Sequence, residues 1–338
     1  MTELNRNIWK LSPGDKNCIT DVPGVKVGHV TLDEPLENGE RICTGVTAIL
    51  PHPGNLFRQK VAGAGVVLNG FGKTTGLIQL NELGLLESPI MLTNTFAVPA
   101  VTEGTLRYLF SRTPEIGDTT GTVNTVTGEC NDSYLNTIRH FAVKPDHAVK
   151  AIEEASDEPS AEGAVGAGRG MVCFGMKGGI GTASRLAGGY TVGVLVLSNF
   201  GKKEEFQDER YKGGRYSGTE GVNAESDGSI MIILASDAPL DHRRLTRVAR
   251  RCAIGLGRTG SHMSHGSGDI AIAFSTACRY PHQLEAQTFS CDLIREEQPV
   301  MHTLFQAAAE ATEEAIVRSL MKAETTTGRK GRTVQGWS

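Results

Sequence analysis

Short apolar runs broken by glycine or proline dominate the first half of the chain, and longer stripes at helical spacing dominate the second. Residues 19–29 (ITDVPGVKVGH), 44–50 (TGVTAIL) and 64–68 (AGVVL) are rich in β-branched side chains and closed by turn residues, which predicts strands. Residues 75–86 carry an apolar rhythm and good helix formers, so a helix is expected there, ending near Ser88-Pro89. A second helix is expected over 145–155, followed by an acidic surface loop over 156–163. A glycine-dense segment, GAVGAGRGMVCFGMKGGIGTASR over 163–185, precedes a buried strand over 190–197 (YTVGVLVL).

Residues 202–228 form the strongest break: charged, glycine-rich and poor in aliphatic side chains, as an exposed loop would be. The chain then switches abruptly to SIMIILA over 229–235, an apolar run of strand length, and turns at 236–239. Asp241 is placed to cap a helix carrying Leu245, Val248, Ala249, Cys252, Ala253 and Leu256 at 3.6-residue spacing, with Gly257 near its end. Residues 269–276 (DIAIAFST) alternate like a strand. From Pro299 to Met321, Leu304, Ala308, Ala311, Ala315, Ile316 and Leu320 form one stripe. Strands and helices cluster without strict βαβ alternation, so the pattern predicts an α+β fold with packed sheets. No internal repeat is visible.

Composition narrows the function. The chain has 338 residues, 39% hydrophobic and 21% charged, so a sizeable core is expected. A net charge of −4 and a pI near 6.2 carry no electrostatic footprint for nucleic acid or an anionic membrane. The seven cysteines are scattered and form no CxxC pair, which fits a reducing compartment better than a disulfide framework. The N-terminus has no apolar segment of signal-peptide type and no run reaches membrane-spanning length, so a soluble cytoplasmic protein is expected.

Several chemistries fail on spacing. GFGKTTG over 70–76 imitates a phosphate-binding loop, but Val67 stands where its first glycine belongs. His262, His265 and Asp269 are close in sequence, yet the segment is a Ser/Gly-rich loop without the helix that aims two imidazoles at one ion. There is no GxSxG elbow. A hydroxyl can instead be activated by its own α-amine, whose pKa near ~7.7 leaves part of it neutral at physiological pH. Such a residue has to be made by cleavage at the junction of a loop and a buried strand, which is where Gly228-Ser229 lies. Position alone favours the plainer reading, a polar residue that opens a strand.

Long motifs change that balance. ITDVPGVKVGH, the glycine-dense segment, VLVLSNFG ending its strand at Asn199, DGSIMIILASDAPL around Ser229, and ARRCAIGLGRTGS leading into GSGDIAIAFST occur in one order from about residue 19 to residue 331. In these the chain resembles the DmpA or P1 family, the L-aminopeptidase/D-alanine esterase-amidases and β-peptidyl aminopeptidases. The resemblance implies a four-layer αββα sandwich like that of N-terminal-nucleophile hydrolases but differently connected. It also implies one catalytic domain that cuts itself into residues 1–228 and 229–338, a homotetramer of the resulting two-chain units, and no cofactor.

By the same resemblance Ser229 is the nucleophile and Asn199 the oxyanion donor, a role worth ~2.7–4 kcal/mol. Ser267 and Asp269 match a second serine and an acid beside the nucleophile, and Glu129 matches the carboxylate that meets the substrate amine. Asn131 and Ser133 fall on the pocket wall after Glu129. Two departures concern substrate choice: β-aminopeptidases of the family carry glutamate where Asp269 stands, and members of the family often carry bulky aromatic or aliphatic pocket residues where this chain has Cys130-Asn131-Asp132-Ser133-Tyr134. The expected activity is hydrolysis of N-terminal residues from small peptides, amino-acid amides or esters, with D- or β-amino acids as further candidates. Amide-oligomer hydrolysis or acyl transfer on the same fold is one rival, although those relatives use threonine. A non-enzymatic binding protein that keeps the fold is the other.

Overall fold

The computed structural model describes residues 5–212, 222 and 228–337. In chain order its main elements are β1 (Lys26–Pro35), β2 (Arg41–Leu50), β3 (Gln59–Gly70), α1 (Leu77–Leu83), β4 (Leu85–Leu86), β5 (Ile90–Asn94), α2 (Val98–Arg112), β6 (Val126–Cys130) and α3 (Pro145–Glu153). There follow β7 (Val172–Cys173), β8 (Met176–Lys177), β9 (Gly179–Ala187), β10 (Tyr190–Asn199), α4 (Asp208–Lys212) and β11 (Ser229–Ser236). The last are α5 (His242–Ala249), α6 (Cys252–Arg258), β12 (Gly268–Pro281) and α7 (Pro299–Met321).

The strands form a four-stranded sheet, β1-β2-β5-β6, and a six-stranded sheet, β4-β3-β12-β11-β10-β9. Alternation along β11 shows how they stack. Ile230, Ile232 and Leu234 pack with Leu245, Leu256, Leu304 and Ile316 of the helices. Met231, Ile233 and Ala235 pack with Ile49, Ile90, Leu92 and Val126 of the smaller sheet. A strand buried on both faces reads as a continuous apolar run, which is why SIMIILA carries no period. On the far side, α2 and α3 cover the smaller sheet through Val101, Ala148 and Ile152 against Val46, Ala48 and Met91. The order of layers is helix, sheet, sheet, helix, the expected αββα plan.

Buried charge in the outer helical layer is paired. Arg185 of β9 meets Glu310 at 3.3 Å and Glu314 at 2.6 Å, and Arg210 meets Glu313 at 2.7 Å. Removing one partner of such a pair leaves an uncompensated buried charge. The glycine-dense segment answers to crowding: a Cβ at Gly168 would lie 2.6 Å from the Ile180 nitrogen, and one at Gly178 would lie 2.6 Å from the Ser198 oxygen. Only glycine lets these backbones approach so closely.

Several expectations shift. The 19–29 run opens with a 3-10 turn at Ile19–Asp21, and its strand begins at Lys26. The helix expected over 75–86 is shortened to Leu77–Leu83, because Gly84 at φ 66° ends it and Leu85–Leu86 pairs with β3. The single helix after Asp241 is two, α5 and α6, although Asp241 does cap the first through the Arg244 N–H at 2.9 Å. Within the expected exposed loop 202–228, Phe206 and Tyr211 are buried in the helical core and α4 forms, while 213–221 and 223–227 lie outside the described residues. Among the described residues no helix is long and apolar enough to cross a membrane.

Candidate active site

Three strand ends meet in the middle of the larger sheet. β10 runs antiparallel to β11, so its last residue, Asn199, lies opposite the first residue of β11, Ser229. β12 runs parallel to β11, so its first residue, Gly268, lies on Ser229's other side. Alternation puts Ser229 on the face it shares with Met231 and Ile233, toward the smaller sheet. It is 6% exposed.

The carbonyl of the preceding residue is held from two directions. Ser229 Oγ donates to the Gly228 oxygen at 2.7 Å, and the Gly268 N–H donates to the same oxygen at 3.1 Å. No side chain fits at Gly228: a Cβ there would lie 2.5 Å from Phe200 Cα and 2.8 Å from the Asn199 oxygen. The end of β10 therefore dictates the glycine.

Asn199 is held on both sides of its carboxamide. Its Oδ1 accepts the Val172 N–H at 2.9 Å, and its Nδ2 donates to the Asn131 carbonyl at 2.9 Å. An amide nitrogen carries two protons, so one remains for another acceptor. Asn131 contributes this backbone oxygen while its side chain accepts the Ser133 N–H at 3.0 Å; Asn131 is exposed and Ser133 half-buried.

Ser267 and Asp269 flank Gly268. Ser267 Oγ donates to Asp269 Oδ1 at 2.7 Å, and the Ser267 carbonyl receives Asn69 Nδ2 at 2.6 Å and the Phe71 N–H at 3.3 Å. Asp269 is fully buried, which pushes its carboxyl up to about 6 against the opposing pull of the Ser267 hydrogen bond.

Glu129 comes from the smaller sheet, on β6, and is buried. Its Oε1 accepts the Lys73 N–H at 2.8 Å and its Oε2 accepts the Thr95 hydroxyl. A Cβ at Gly72 would lie 3.7 Å from Glu129 Oε1 and 3.8 Å from Gly268 Cα, so the segment after β3 bridges the carboxylate and the strand-end cluster. No ion pair to Glu129 occurs among the described residues, leaving a buried negative charge held only by neutral donors. Such a site suits an incoming ammonium group.

Asn199 and Ser229 are thus neighbours, with Asn131 and Ser133 on the turn behind Asn199. Ser267 and Asp269 bond each other on either side of Gly268, and Gly72 lies between Gly268 and Glu129 of the smaller sheet. Sequence reasoning missed the backbone donors, the N–H groups of Gly268, Lys73 and Val172, since every residue type supplies them. It also missed Thr95. His262 and His265 are exposed, and no cluster suited to a metal occurs among the described residues.

The model of Peptidase family S58 matches residues 17–334. The chain belongs to this family. Among its S58 relatives, the beta-peptidyl aminopeptidase BapA of Sphingosinicella microcystinivorans is 40% identical over an alignment of 346 positions, covering 96% of this chain and 86% of the relative. The PH0078 protein from Pyrococcus horikoshii OT3 superposes with a TM-score of 0.89 at 48% identity, covering 97% of this chain and 93% of that one. The L-aminopeptidase D-Ala-esterase/amidase of Ochrobactrum anthropi, described as a prototype serine aminopeptidase with a variant of the Ntn-hydrolase fold, gives 0.87 at 34% identity, covering 98% and 93%. This S58 chain is an α+β protein of the Ntn-hydrolase kind and a serine aminopeptidase.

Proposed function

We propose that the chain is a self-processing aminopeptidase whose nucleophile, Ser229, is freed by cleavage of the Gly228–Ser229 bond. One observation carries the reading: the Ser229 hydroxyl and the Gly268 N–H both engage the Gly228 carbonyl, at 2.7 and 3.1 Å. In the first step Ser229 Oγ attacks the Gly228 carbonyl carbon while the Gly268 N–H stabilises the oxyanion. The C–N bond then breaks, the hydroxyl proton passes to the departing amine, and water hydrolyses the resulting ester. Gly228 keeps a carboxylate and Ser229 gains a free α-amine.

In turnover that amine is the base. A substrate's ammonium group binds Glu129, its scissile carbonyl sits beside Gly268 and Asn199, and Ser229 Oγ attacks while its own amine takes the proton. The amine product departs and water releases the N-terminal residue. Ser267 and Asp269 position the nucleophile's surroundings. Small peptides and amino-acid amides or esters fit a site with a negative charge at one end, and the beta-peptidyl relative supports β-linked residues among them. A panel of L-, D- and β-aminoacyl p-nitroanilides tests this; no turnover of any of them by processed protein sinks the reading. Oligomeric state belongs to the same proposal. A homotetramer's count of four rests on the resemblance to the family; that copies associate is supported by the exposed, stacked Phe96 and Phe141, and light scattering that gives a monomer would remove it.

Three further outcomes follow. Gly228→Ala forces a Cβ against Phe200 and should slow self-cleavage at least about tenfold, read as intact chain over time by mass spectrometry; unchanged processing would show that the close approach is not needed. Asn199→Ala should lower kcat by about 10²-fold on processed protein with little change in KM. Asp269→Asn addresses stability. Because burial raises the Asp269 carboxyl to about 6, the folded state favours its neutral form. That contribution is fully present below the ordinary value of 3.8 and is lost as pH rises toward 6. The asparagine variant should therefore gain stability relative to the parent between about pH 4 and pH 6 and hold the gain above. Urea melts at both ends of that window check it, and a difference independent of pH would contradict it.

A further inference from the structure

Lys177 lies on β8, fully buried, and the reaction described above does not use it. Its Nζ donates to three backbone oxygens: Gly178 at 2.6 Å, Met171 at 2.8 Å and Gly168 at 3.0 Å. These consume all three ammonium protons, and no carboxylate forms an ion pair with it among the described residues. Burying an amine without a paired carboxylate is costly and pushes Lys177 down to about 7. Only its protonated form can donate to all three carbonyls at once, so the ammonium is the polarising state and is lost as pH rises through that value.

The hydrogen bonds have a direction. The Met171 carbonyl and the Val172 N–H belong to one peptide group. Lys177 holds the oxygen of that group, with the Gly178 N–H as a second donor at 3.1 Å. The N–H end donates to Asn199 Oδ1 at 2.9 Å. A cation on the oxygen of an amide draws electrons from its N–H and strengthens that donor; the receiving carboxamide is polarised in turn, and its own NH₂ becomes a better donor. Two hydrogen bonds thus link three groups, ammonium, peptide and carboxamide, ending at the free Nδ2 proton of Asn199. The opposite edge of the carboxamide is fixed by the Asn131 carbonyl, from a turn tied down where Asn136 Nδ2 donates to the buried Asp132 carboxyl at 2.9 Å.

We propose that Lys177 is a positioning residue that orients and polarises the Asn199 carboxamide through the Met171–Val172 peptide group, so that Asn199 donates strongly to the oxyanion. This rests on the reading of Asn199 as an oxyanion donor and goes one residue beyond it. Lys177 does not touch substrate. Its effect belongs to the transition state and falls on kcat.

The experiment is a double-mutant cycle of Lys177→Met and Asn199→Ala, with rates divided by the processed fraction counted by intact mass and folding followed by thermal melts. Lys177→Met is expected to lower kcat about tenfold to 100-fold with KM within about twofold. The double variant should be no slower than Asn199→Ala beyond about threefold, because a polariser without its target has nothing left to do. Unchanged kcat in a folded, processed Lys177→Met protein overturns the proposal, and so do losses that multiply in the double variant, the mark of a general structural role. If Asn199→Ala itself costs nothing, the reading of Asn199 fails and takes this one with it. Should Lys177→Met not fold, Lys177→Gln, which keeps a donor for one of the three carbonyls, enters the same cycle and is judged by the same two criteria.

Discussion

Ser229→Ala should remain a single 36.1 kDa chain and lose aminopeptidase turnover by at least about 10⁴-fold. Both effects come from one oxygen. Without Oγ nothing attacks the Gly228 carbonyl, so the peptide bond persists and no α-amine forms. Without the α-amine there is no base, and without Oγ no nucleophile, for a substrate. The fold should survive, since Ser229 is the first residue of β11 and Met231, Ile233 and the other apolar residues of that strand carry the packing. Intact-mass measurement separates the outcomes: the parent should resolve into pieces of roughly two-thirds and one-third of 36.1 kDa, the smaller beginning Ser-Ile-Met-Ile by N-terminal sequencing. A processed alanine variant would move the nucleophile elsewhere. An active parent that never yields that N-terminus would end the self-processing reading.

The second large effect is expected at Glu129. Glu129→Gln keeps the shape of the side chain and oxygen acceptance from the Lys73 N–H or Thr95 hydroxyl, but it removes the charge. Truncating one partner of a desolvated charge pair costs about 2–5 kcal/mol, so kcat/KM for substrates with a free amine should fall about 10³-fold. The diagnostic readout is a ratio. The parent should prefer a free aminoacyl anilide strongly over its N-acetylated form, because the acetyl group removes the cation and leaves the buried carboxylate unpaired. In the variant that preference should largely collapse. A variant that loses activity equally on both substrates would make Glu129 a structural carboxylate. One that loses nothing would leave the amine to some other group.

Part of this architecture is readable one segment at a time. Pro299–Met321 is marked by its apolar stripe and proline start, and the helix occupies those residues. Asp241 signals a cap and provides one, though the stripe through Leu245, Val248 and Cys252 gives no warning of the break at Arg250 and Arg251. Helix α2 went unread because its buried face includes Gly104 and Thr105; a Cβ at Gly104 would lie 2.1 Å from the Pro145 oxygen, so close packing against α3 displaced the bulky side chains that would have shown a period. The 202–228 stretch is polar on average, yet Phe206 and Tyr211 within it are buried, and an average over composition hides such single anchors.

From residues alone came the strand-like run after Gly228, the α+β class, the family's motifs and the short roster of polar side chains. Local spacing encodes an element's period and caps, and chemistry is written in residue type. Pairing was decided elsewhere. Asn199, Ser229 and Gly268 are neighbours only because β10, β11 and β12 hydrogen-bond in that register, and Glu129 faces them only because a second sheet packs on the first. The donors that complete the site are backbone N–H groups, which all residues but proline possess and which acquire a direction only once the chain is folded.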